Sequence, residues 1–201
     1  MNRPIGIFDS GIGGLTVLKE VAKCLPSEDI VYFGDTARVP YGTKSPNTVI
    51  KFSVENMLFL LRFKVKLIII ACNTSSSYAL PVLKNDFKVP VIGVIDPGAE
   101  EAVKRTRNAR IGVIGTRATI QSAAYEKRIR AIDPRVKVFS QACPLFVPLA
   151  EEGWLEGEIT HKIAQRYLGP LKDKDIDVLI LGCTHYPLLK DVIRDVMGQK
   201  V

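Results

Sequence analysis

Seven short apolar segments, none of which alternates with polar residues, are the feature that most constrains the fold of this 201-residue chain. Each is rich in β-branched residues, as expected for a strand that is buried on both faces of a sheet. The predicted strands are 5–8, 30–33, 67–70, 91–94, 111–114, 136–139 and 178–181. Helical patterns lie between them, and this alternation predicts an α/β fold with mainly parallel sheets covered by helices on both sides.

Two of the intervening helices are predicted from the spacing of their apolar residues. Leu15, Leu18, Ala22 and Leu25 share one face of the first helix. The second helix is longer, and its stripe runs from residue 49 to residue 60.

The chain repeats part of its own pattern. The segment IGIFDSGIGG at 5–14 aligns with IGVIGTRATI at 111–120, and an apolar strand that ends in cysteine occurs twice in the same order. Chance likeness between two strands of one fold class would explain the first match, but the second match favours a repeat. Pro97 and Gly98 punctuate the chain between the halves. We therefore predict two α/β domains of similar plan, spanning residues 1–96 and 97–201.

Composition limits the class of protein. Hydrophobic residues make up 47% of the chain, which allows a sizeable core, and no apolar run reaches the roughly 18 residues of a membrane span. The first residues lack the order of a signal peptide, so we expect a soluble, cytoplasmic protein with no membrane partner. The net charge of +7 is most visible at 104–110 and 127–130. Because no aromatic residues or nucleic-acid motif accompany these charges, we interpret them as solvated surface and expect no nucleic-acid partner.

The four cysteines are Cys24, Cys72, Cys143 and Cys183, and they lack the spacing of a zinc site. In a reducing cytosol they are expected to be free thiols. Cys72 and Cys183 each follow an apolar strand, at the carboxyl end where open α/β sheets bind ligands. A helix N-terminus after the strand would lower a thiol pKa that starts near ~8.5, which would make each cysteine a base near neutral pH. A small buried hydrophobe is the alternative for any one strand-end cysteine, and it is our interpretation of Cys24 and Cys143.

Polar neighbours favour a functional role for the two strand-end cysteines. These neighbours are Asn73, Thr74 and three serines after the first cysteine, and Thr184, His185 and Tyr186 after the second. Hydroxyl, amide and imidazole groups hold carboxylates or ammonium groups, and a passive core cysteine would not need them.

The first predicted strand also ends in a polar segment, DSGIGG. Asp9 and Ser10 lie at its carboxyl end, and the glycines allow a ligand to approach backbone N–H groups at a helix start. A dinucleotide fingerprint would require glycine at position 16, where Thr16 stands. The segment therefore favours a phosphate or carboxylate over a dinucleotide.

Two opposed thiols suit the inversion of a carbon that bears hydrogen. One thiolate removes the proton from one face while a thiol supplies a proton to the other, and the roles exchange in the reverse direction. The sequence singles out no lysine for a pyridoxal Schiff base and no cluster of metal ligands, so no cofactor is expected. Hydrogen bonds would then have to stabilise the carbanion.

Five segments in register resemble the signatures of the glutamate racemases, the cofactor-independent enzymes of the Asp/Glu racemase family that supply D-glutamate for bacterial peptidoglycan. They are FDSGIGGLTVL (8–18), GDTARVPYGTKS (34–45), ACNTSSS (71–77), CPLFVPLAEEG (143–153) and LGCTHYPLL (181–189). The resemblance spans essentially the whole chain. It implies two similar Rossmann-like (flavodoxin-like) domains with the active site in the cleft between them, and glutamate as the substrate.

The resemblance also implies roles for individual residues. Cys72 and Cys183 would be the bases on opposite faces of the α-carbon. Asp9 would assist the first, whereas Glu151 and His185 would assist the second. The residues implied to bind the substrate are Asp9, Ser10, Gly11, Pro40, Tyr41, Gly42, Asn73, Thr74, Thr184 and His185.

The resemblance leaves three points open. Glu151 is chosen as the acidic assistant because it directly follows PLA, and a one-residue slip to Glu152 is the alternative. Family members generally continue past the CTHYP helix with a tail that returns to the first domain, whereas this sequence ends at Val201, which suggests a truncated chain. The family tends to form homodimers of varied packing, so a homodimer of unspecified arrangement is expected.

Two other functions compete with the racemisation of glutamate. An aspartate racemase, or a related isomerase or decarboxylase with a cysteine pair, would keep the architecture and change the substrate. A nucleotide- or nucleic-acid-binding module would use the glycine loop and the basic segments, and its cysteines would be incidental.

Overall fold

The computed structural model describes residues 3–201 of the chain. The chain divides into two compact units, Met1–Val94 and Ile95–Val201. The division lies two residues before the predicted one, because Ile95 is the first residue of a helix that belongs to the second unit. Residues 1 and 2 of the predicted first domain lie outside the described part.

A parallel four-stranded sheet organises the first unit, with the strand order β2-β1-β3-β4. Its strands are β1 (Ile5–Asp9), β2 (Ile30–Gly34), β3 (Leu67–Ile70) and β4 (Val91–Gly93). Its helices are α1 (Leu15–Cys24), α2 (Pro46–Leu61), α3 (Asn73–Tyr78) and α4 (Leu80–Asp86), and a 3₁₀ turn covers Tyr41–Thr43. All four strands were predicted, because β-branched residues without alternation are typical of strands that helices cover.

Helix α1 packs on the sheet through a different face from the predicted one. Its partly buried residues Val17, Leu18 and Val21 pack against the core residues of β1, whereas Leu15 is 48% exposed. Val17 and Val21 lie one turn apart and flank Leu18, so these three residues form the stripe that meets the sheet. The predicted face was therefore wrong except at Leu18.

A parallel three-stranded sheet organises the second unit, with the strand order β6-β5-β7. Its strands are β5 (Arg110–Gly115), β6 (Lys137–Ala142) and β7 (Val178–Gly182). Its helices are α5 (Ile95–Arg105), α6 (Arg117–Gln121), α7 (Ala124–Ile132), α8 (Phe146–Glu151), α9 (Glu158–Lys172) and α10 (Lys190–Met197), and a 3₁₀ turn covers Tyr186–Leu189. The parallel pairing in both sheets confirms the predicted fold class.

The largest core cluster of the second unit fixes the segment that follows β7. It contains Cys183 and Tyr186 together with residues of the last two helices, such as Leu168 and Val196. The Tyr186 hydroxyl donates a 2.9 Å hydrogen bond to the backbone carbonyl of Cys143. A buried phenol needs such a partner, so this bond both satisfies Tyr186 and holds the segment in place.

Parallel pairing brings the carboxyl ends of neighbouring strands to the same edge of each sheet. Strands β1 and β3 end side by side, and Asp9 and Cys72 lie at that edge. Strands β5 and β7 pair through Gly115 and Gly182, and Cys183 follows directly. In each unit, a thiol therefore lies at the edge where open α/β sheets bind ligands.

Two features are absent from residues 3–201. None of the helices there has both the length and the apolar composition that crossing a membrane requires. In the same residues, no three His, Cys, Asp or Glu side chains are grouped in a way that could hold a metal ion.

Candidate active site

Cys72 occupies the junction between β3 and α3. Its side chain is the N-terminal cap of the helix, and its sulfur accepts a 3.4 Å hydrogen bond from the backbone N–H of Ser75. The thiol itself donates to the hydroxyl of Ser10 over 3.5 Å. The chain folds in this way because a polar atom at the cap satisfies an N–H group that has no partner within the helix.

The pKa of the Cys72 thiol is raised rather than lowered. Burial is the main cause, and the negative charge of Asp9 is the second. The hydrogen bonds that Cys72 makes with Ser10 and Ser75 lower the pKa of the thiol, but they do not offset burial. The prediction that the helix start would lower this pKa was therefore wrong. The thiol would become a base near neutral pH only if a further group stabilised its charge.

Asp9 is completely buried at the end of β1 and is held by the glycine loop that follows it. Its Oδ2 atom accepts hydrogen bonds from the backbone N–H groups of Gly11, over 3.1 Å, and Gly14, over 3.0 Å. The hydroxyl of Tyr32 donates to the carbonyl of Gly11 over 2.7 Å and so braces the same loop. Burial raises the pKa of Tyr32 well above its usual range, so its hydroxyl remains a donor.

The hydroxyl of Ser75 is a second influence on Cys72 within the same turn of helix. It is buried and lowers the pKa of the thiol, yet no hydrogen bond of normal geometry joins it to any group of residues 3–201. A hydroxyl can rotate to donate to a thiolate as the charge forms. Ser75 is therefore placed to stabilise the ionised form of Cys72.

Replacing Ser75 by alanine is expected to slow the alkylation of Cys72 by iodoacetamide roughly two- to tenfold below pH 9, because the pKa of the thiol rises further. The measurement is the rate of modification at Cys72 against pH, followed by peptide mass spectrometry. Ser77→Ala is the matched control, since the Ser77 hydroxyl donates to the carbonyl of Asn73 instead. Equal rates in both variants would show that Ser75 does not act on the thiol.

Tyr41 belongs to a small buried cluster that also contains Val49 and Cys72. Its hydroxyl donates to Asp35 and accepts a 3.0 Å hydrogen bond from the side-chain amide of Asn56. Burial and the bond to Asp35 raise the pKa of Tyr41, so the phenol stays protonated. The Tyr41 hydroxyl is therefore engaged by two side chains of its own unit, while the residue shares a buried cluster with the thiol.

Cys183 begins the corresponding site of the second unit. Its sulfur lies 3.8 Å from Nδ1 of His185, and both residues are buried. On the other side of the ring, Nε2 lies 3.2 Å from Oε1 of Glu151, although it makes no well-directed hydrogen bond. The imidazole of His185 thus lies between the carboxylate of Glu151 and the thiol of Cys183.

The two candidate glutamates have different surroundings. Glu151 ends α8, and its side chain is 32% exposed beside His185. Glu152 is the next residue, and it lines a small apolar pocket with Leu149 and Trp154. The structure therefore places Glu151, not Glu152, next to the imidazole.

The remaining predicted residues differ in burial. Those that the structure buries almost completely are Ser10, Gly42, Asn73 and Thr74 in the first unit and Thr184 in the second. Pro40 is exposed, and Gly11 lies in the loop that binds Asp9.

The other two cysteines differ from each other. Cys143 is buried, which raises its pKa to about 12, whereas Cys24 is exposed, so its interpretation as a buried hydrophobe was wrong.

Two polar residues at the carboxyl end of β5 were missed. Thr116 caps α6, and its hydroxyl lies 3.0 Å from that of Thr119. Both are buried at the edge from which Cys183 projects. The internal alignment of 5–14 with 111–120 could have predicted Thr116, because it pairs this residue with Ser10.

Tyr125 was also missed, and its ring packs on Gly182, the residue before Cys183. Its ring packs so closely on Gly182 and Gly98 that a methyl group at either glycine would lie 3.2 Å from it. Burial and the charge of Cys183 raise its pKa. Only the fold brings Tyr125 there, since neither glycine is near it in the sequence.

Sequence comparison identifies the family of the chain. The profile of one family, Asp/Glu/Hydantoin racemase, matches residues 5–201. This chain belongs to the Asp/Glu/Hydantoin racemase family. The match includes both strand-end cysteines, and it confirms the family resemblance predicted from the five motifs.

Curated relatives within the Asp/Glu/Hydantoin racemase family include glutamate racemases. The chain is 57% identical over 199 residues to the glutamate racemase of Geobacter metallireducens. This alignment covers 99% of the chain and 74% of the relative. It is likewise 57% identical over 194 residues to the glutamate racemase of Aquifex pyrophilus, covering 96% of this chain and 75% of the relative.

Solved structures of the family share the fold. A glutamate racemase isoform from Bacillus anthracis has a TM-score of 0.96 and 45% identity, covering 98% of this chain and 74% of that one. A glutamate racemase from Francisella tularensis, in complex with D-glutamate, has a TM-score of 0.92 and 48% identity with the same coverage. An aspartate racemase homologue from Pyrococcus horikoshii has a TM-score of 0.63 and 19% identity over 93% of this chain and 88% of that one, so it shares the fold alone.

Proposed function

We propose that this protein interconverts L-glutamate and D-glutamate without a cofactor. The observation that carries the proposal is that each unit places a buried thiol at the ligand-binding edge of its sheet, beside an acidic or imidazole group. The high identity to glutamate racemases supports glutamate as the substrate. The proposal extends to the supply of D-glutamate for peptidoglycan, in the cytoplasm and as a homodimer.

The reaction uses Cys72 and Cys183 on opposite faces of the α-carbon. In one direction, a thiolate removes the α-hydrogen as a proton, and the electron pair stays on the carbon. The thiol on the other face then donates its proton to that carbon and becomes the thiolate. In the reverse direction the two sulfurs exchange roles, so no net charge or proton is gained.

Each thiol has an assistant in its own unit. His185 can take the proton of Cys183 through Nδ1, and Glu151 orients the ring from the other side. Asp9 lies close enough to Cys72 for its charge to raise the pKa of the thiol, which favours the protonated form of this sulfur. Different neighbours therefore act on the two thiols: a carboxylate beside Cys72 and an imidazole beside Cys183. Each sulfur can still alternate between thiol and thiolate.

Binding of the substrate would lower the raised pKa of Cys72. The α-ammonium group of an amino acid is a cation, and a cation beside the sulfur lowers the thiol pKa. We propose that Ser10, Asn73, Thr74 and Thr184 bind the polar groups of glutamate. Gly11, Pro40, Tyr41 and Gly42 would contribute through the backbone or the ring, since the Tyr41 hydroxyl already has two partners.

Circular dichroism of L-glutamate with the purified protein and no added cofactor tests the proposal directly. We expect the signal to decay to zero, and in heavy water the α-hydrogen to be replaced by deuterium. Protein alkylated with iodoacetamide is the control and should leave the signal unchanged. A persistent signal with glutamate, together with decay of the signal from L-aspartate, would transfer the function to aspartate. Persistence with both would exclude racemisation of either.

A further inference from the structure

A closed ring of four side chains lies behind Tyr41 in the first unit. Arg38 donates from Nε to Asp35 over 2.7 Å and from Nη2 to the side-chain oxygen of Asn56 over 3.0 Å. Asn56 donates to the Tyr41 hydroxyl over 3.0 Å, and that hydroxyl donates to Asp35. Every member of the ring thus contacts two others, across residues from a loop, a 3₁₀ turn and helix α2.

Arg38 closes this ring toward solvent. Asp35, Tyr41 and Asn56 are at most 4% exposed, whereas the Arg38 side chain is 29% exposed. The guanidinium lies 4.2 Å from the centre of the Phe52 ring. It therefore supplies a positive charge next to a buried carboxylate and covers the cluster at the same time.

The ring of side chains acts on Tyr41 and, through it, on Cys72. A hydroxyl with both a donor and an acceptor partner cannot rotate freely, so the phenol is fixed in one orientation. The aromatic ring of Tyr41 packs in the same buried cluster as Cys72. A change in the position of Tyr41 would consequently change the space available to the thiol.

We infer that Arg38 is a positioning residue that fixes Tyr41 within the buried cluster it shares with Cys72 and so keeps this thiol aligned with the α-carbon. The inference deepens the proposed racemisation and rests on it. Arg38 needs the planar fork of a guanidinium, because Nε reaches Asp35, Nη2 reaches Asn56 and Nη1 reaches Glu55. A lysine ammonium carries the same charge but cannot reach three partners in one plane.

Arg38→Met and Arg38→Lys test the inference, with Arg62→Met as the matched control. Arg62 also lies near a phenylalanine of α2, 6.0 Å from the Phe59 ring, but it is exposed and takes no part in the ring of side chains. We expect both Arg38 variants to lower kcat/KM for glutamate about 10- to 100-fold and the control to stay near the wild-type value. Full activity of Arg38→Lys would overturn the inference, because charge alone would then suffice.

Isotope effects distinguish loss of alignment from loss of folded protein. If the step at Cys72 becomes slower, the primary deuterium isotope effect on kcat/KM should rise for the enantiomer that Cys72 deprotonates and fall for the other. A smaller fraction of folded enzyme changes neither value. Lowered activity with unchanged isotope effects for both enantiomers would therefore overturn the inference.

A second measurement does not depend on catalysis. We expect iodoacetamide to modify Cys72 roughly threefold or more faster in Arg38→Lys and in Tyr41→Phe than in Arg62→Met, with the rate at Cys183 unchanged, because the cover over the thiol loosens. If the wild-type protein fails to racemise glutamate, the proposed function fails and this rate still tests the position of Tyr41. Equal rates at Cys72 in all variants would overturn the inference.

Discussion

Alanine in place of either Cys72 or Cys183 is expected to slow the racemisation of glutamate by about 1,000-fold or more in both directions. Each sulfur is the base in one direction and the acid in the other, so the loss of either one stops the full cycle. The equilibrium constant between enantiomers is one, and kcat/KM must therefore fall equally for L- and D-glutamate. Circular dichroism started from each enantiomer measures both values.

Cys24→Ala is the control for this pair. Cys24 is a free, exposed thiol at the end of α1, and its replacement should leave the rate unchanged. Thermal unfolding of all three variants separates loss of chemistry from loss of fold. If either alanine variant at a strand end racemises glutamate at a rate near that of the wild type, the two-thiol mechanism is wrong.

The replacement of Gly14 by alanine is expected to lower the stability of the first unit by roughly 1–3 kcal/mol and to reduce activity about 10-fold or more. A methyl group at Gly14 would lie 2.4 Å from Cβ of Asp9 and 2.8 Å from the Tyr32 hydroxyl. Both atoms belong to residues that are hydrogen-bonded to the glycine loop, since Asp9 accepts from Gly14 and Tyr32 donates to Gly11. The added carbon must therefore displace either the carboxylate or the loop.

The backbone of Gly14 makes the interpretation of this variant simple. Its φ and ψ angles, −63° and −11°, suit any residue, so only space requires glycine there. Gly169→Ala is the matched control, since a methyl group at Gly169 meets nothing within 4 Å and should change stability by less than about 1 kcal/mol. The measurements are thermal unfolding and kcat/KM. Equal stability and activity in both variants would show that the Asp9 loop can move without consequence.

The strands and the positions of the strand-end residues could be read from the sequence. A strand covered on both faces needs a continuous run of apolar residues, so each run marked its own strand. The residue after each run then lies at the carboxyl edge whatever the rest of the fold does, which located Cys72, Cys183 and Asp9. The same reasoning failed for helix α1, because several apolar residues compete for the sheet and only packing selects Val17 and Val21.

Tertiary structure decided the chemical state of these residues. The sign of the pKa shift at Cys72 depends on burial and on Asp9, which lies far from it in the sequence. The partners of the Tyr41 hydroxyl come from positions 35 and 56, so no local pattern could show that it was already engaged. Local sequence determines where a strand ends, because that depends on neighbouring residues alone. Charge, proton affinity and orientation depend on the sum of surrounding groups, and only the folded chain brings those groups together.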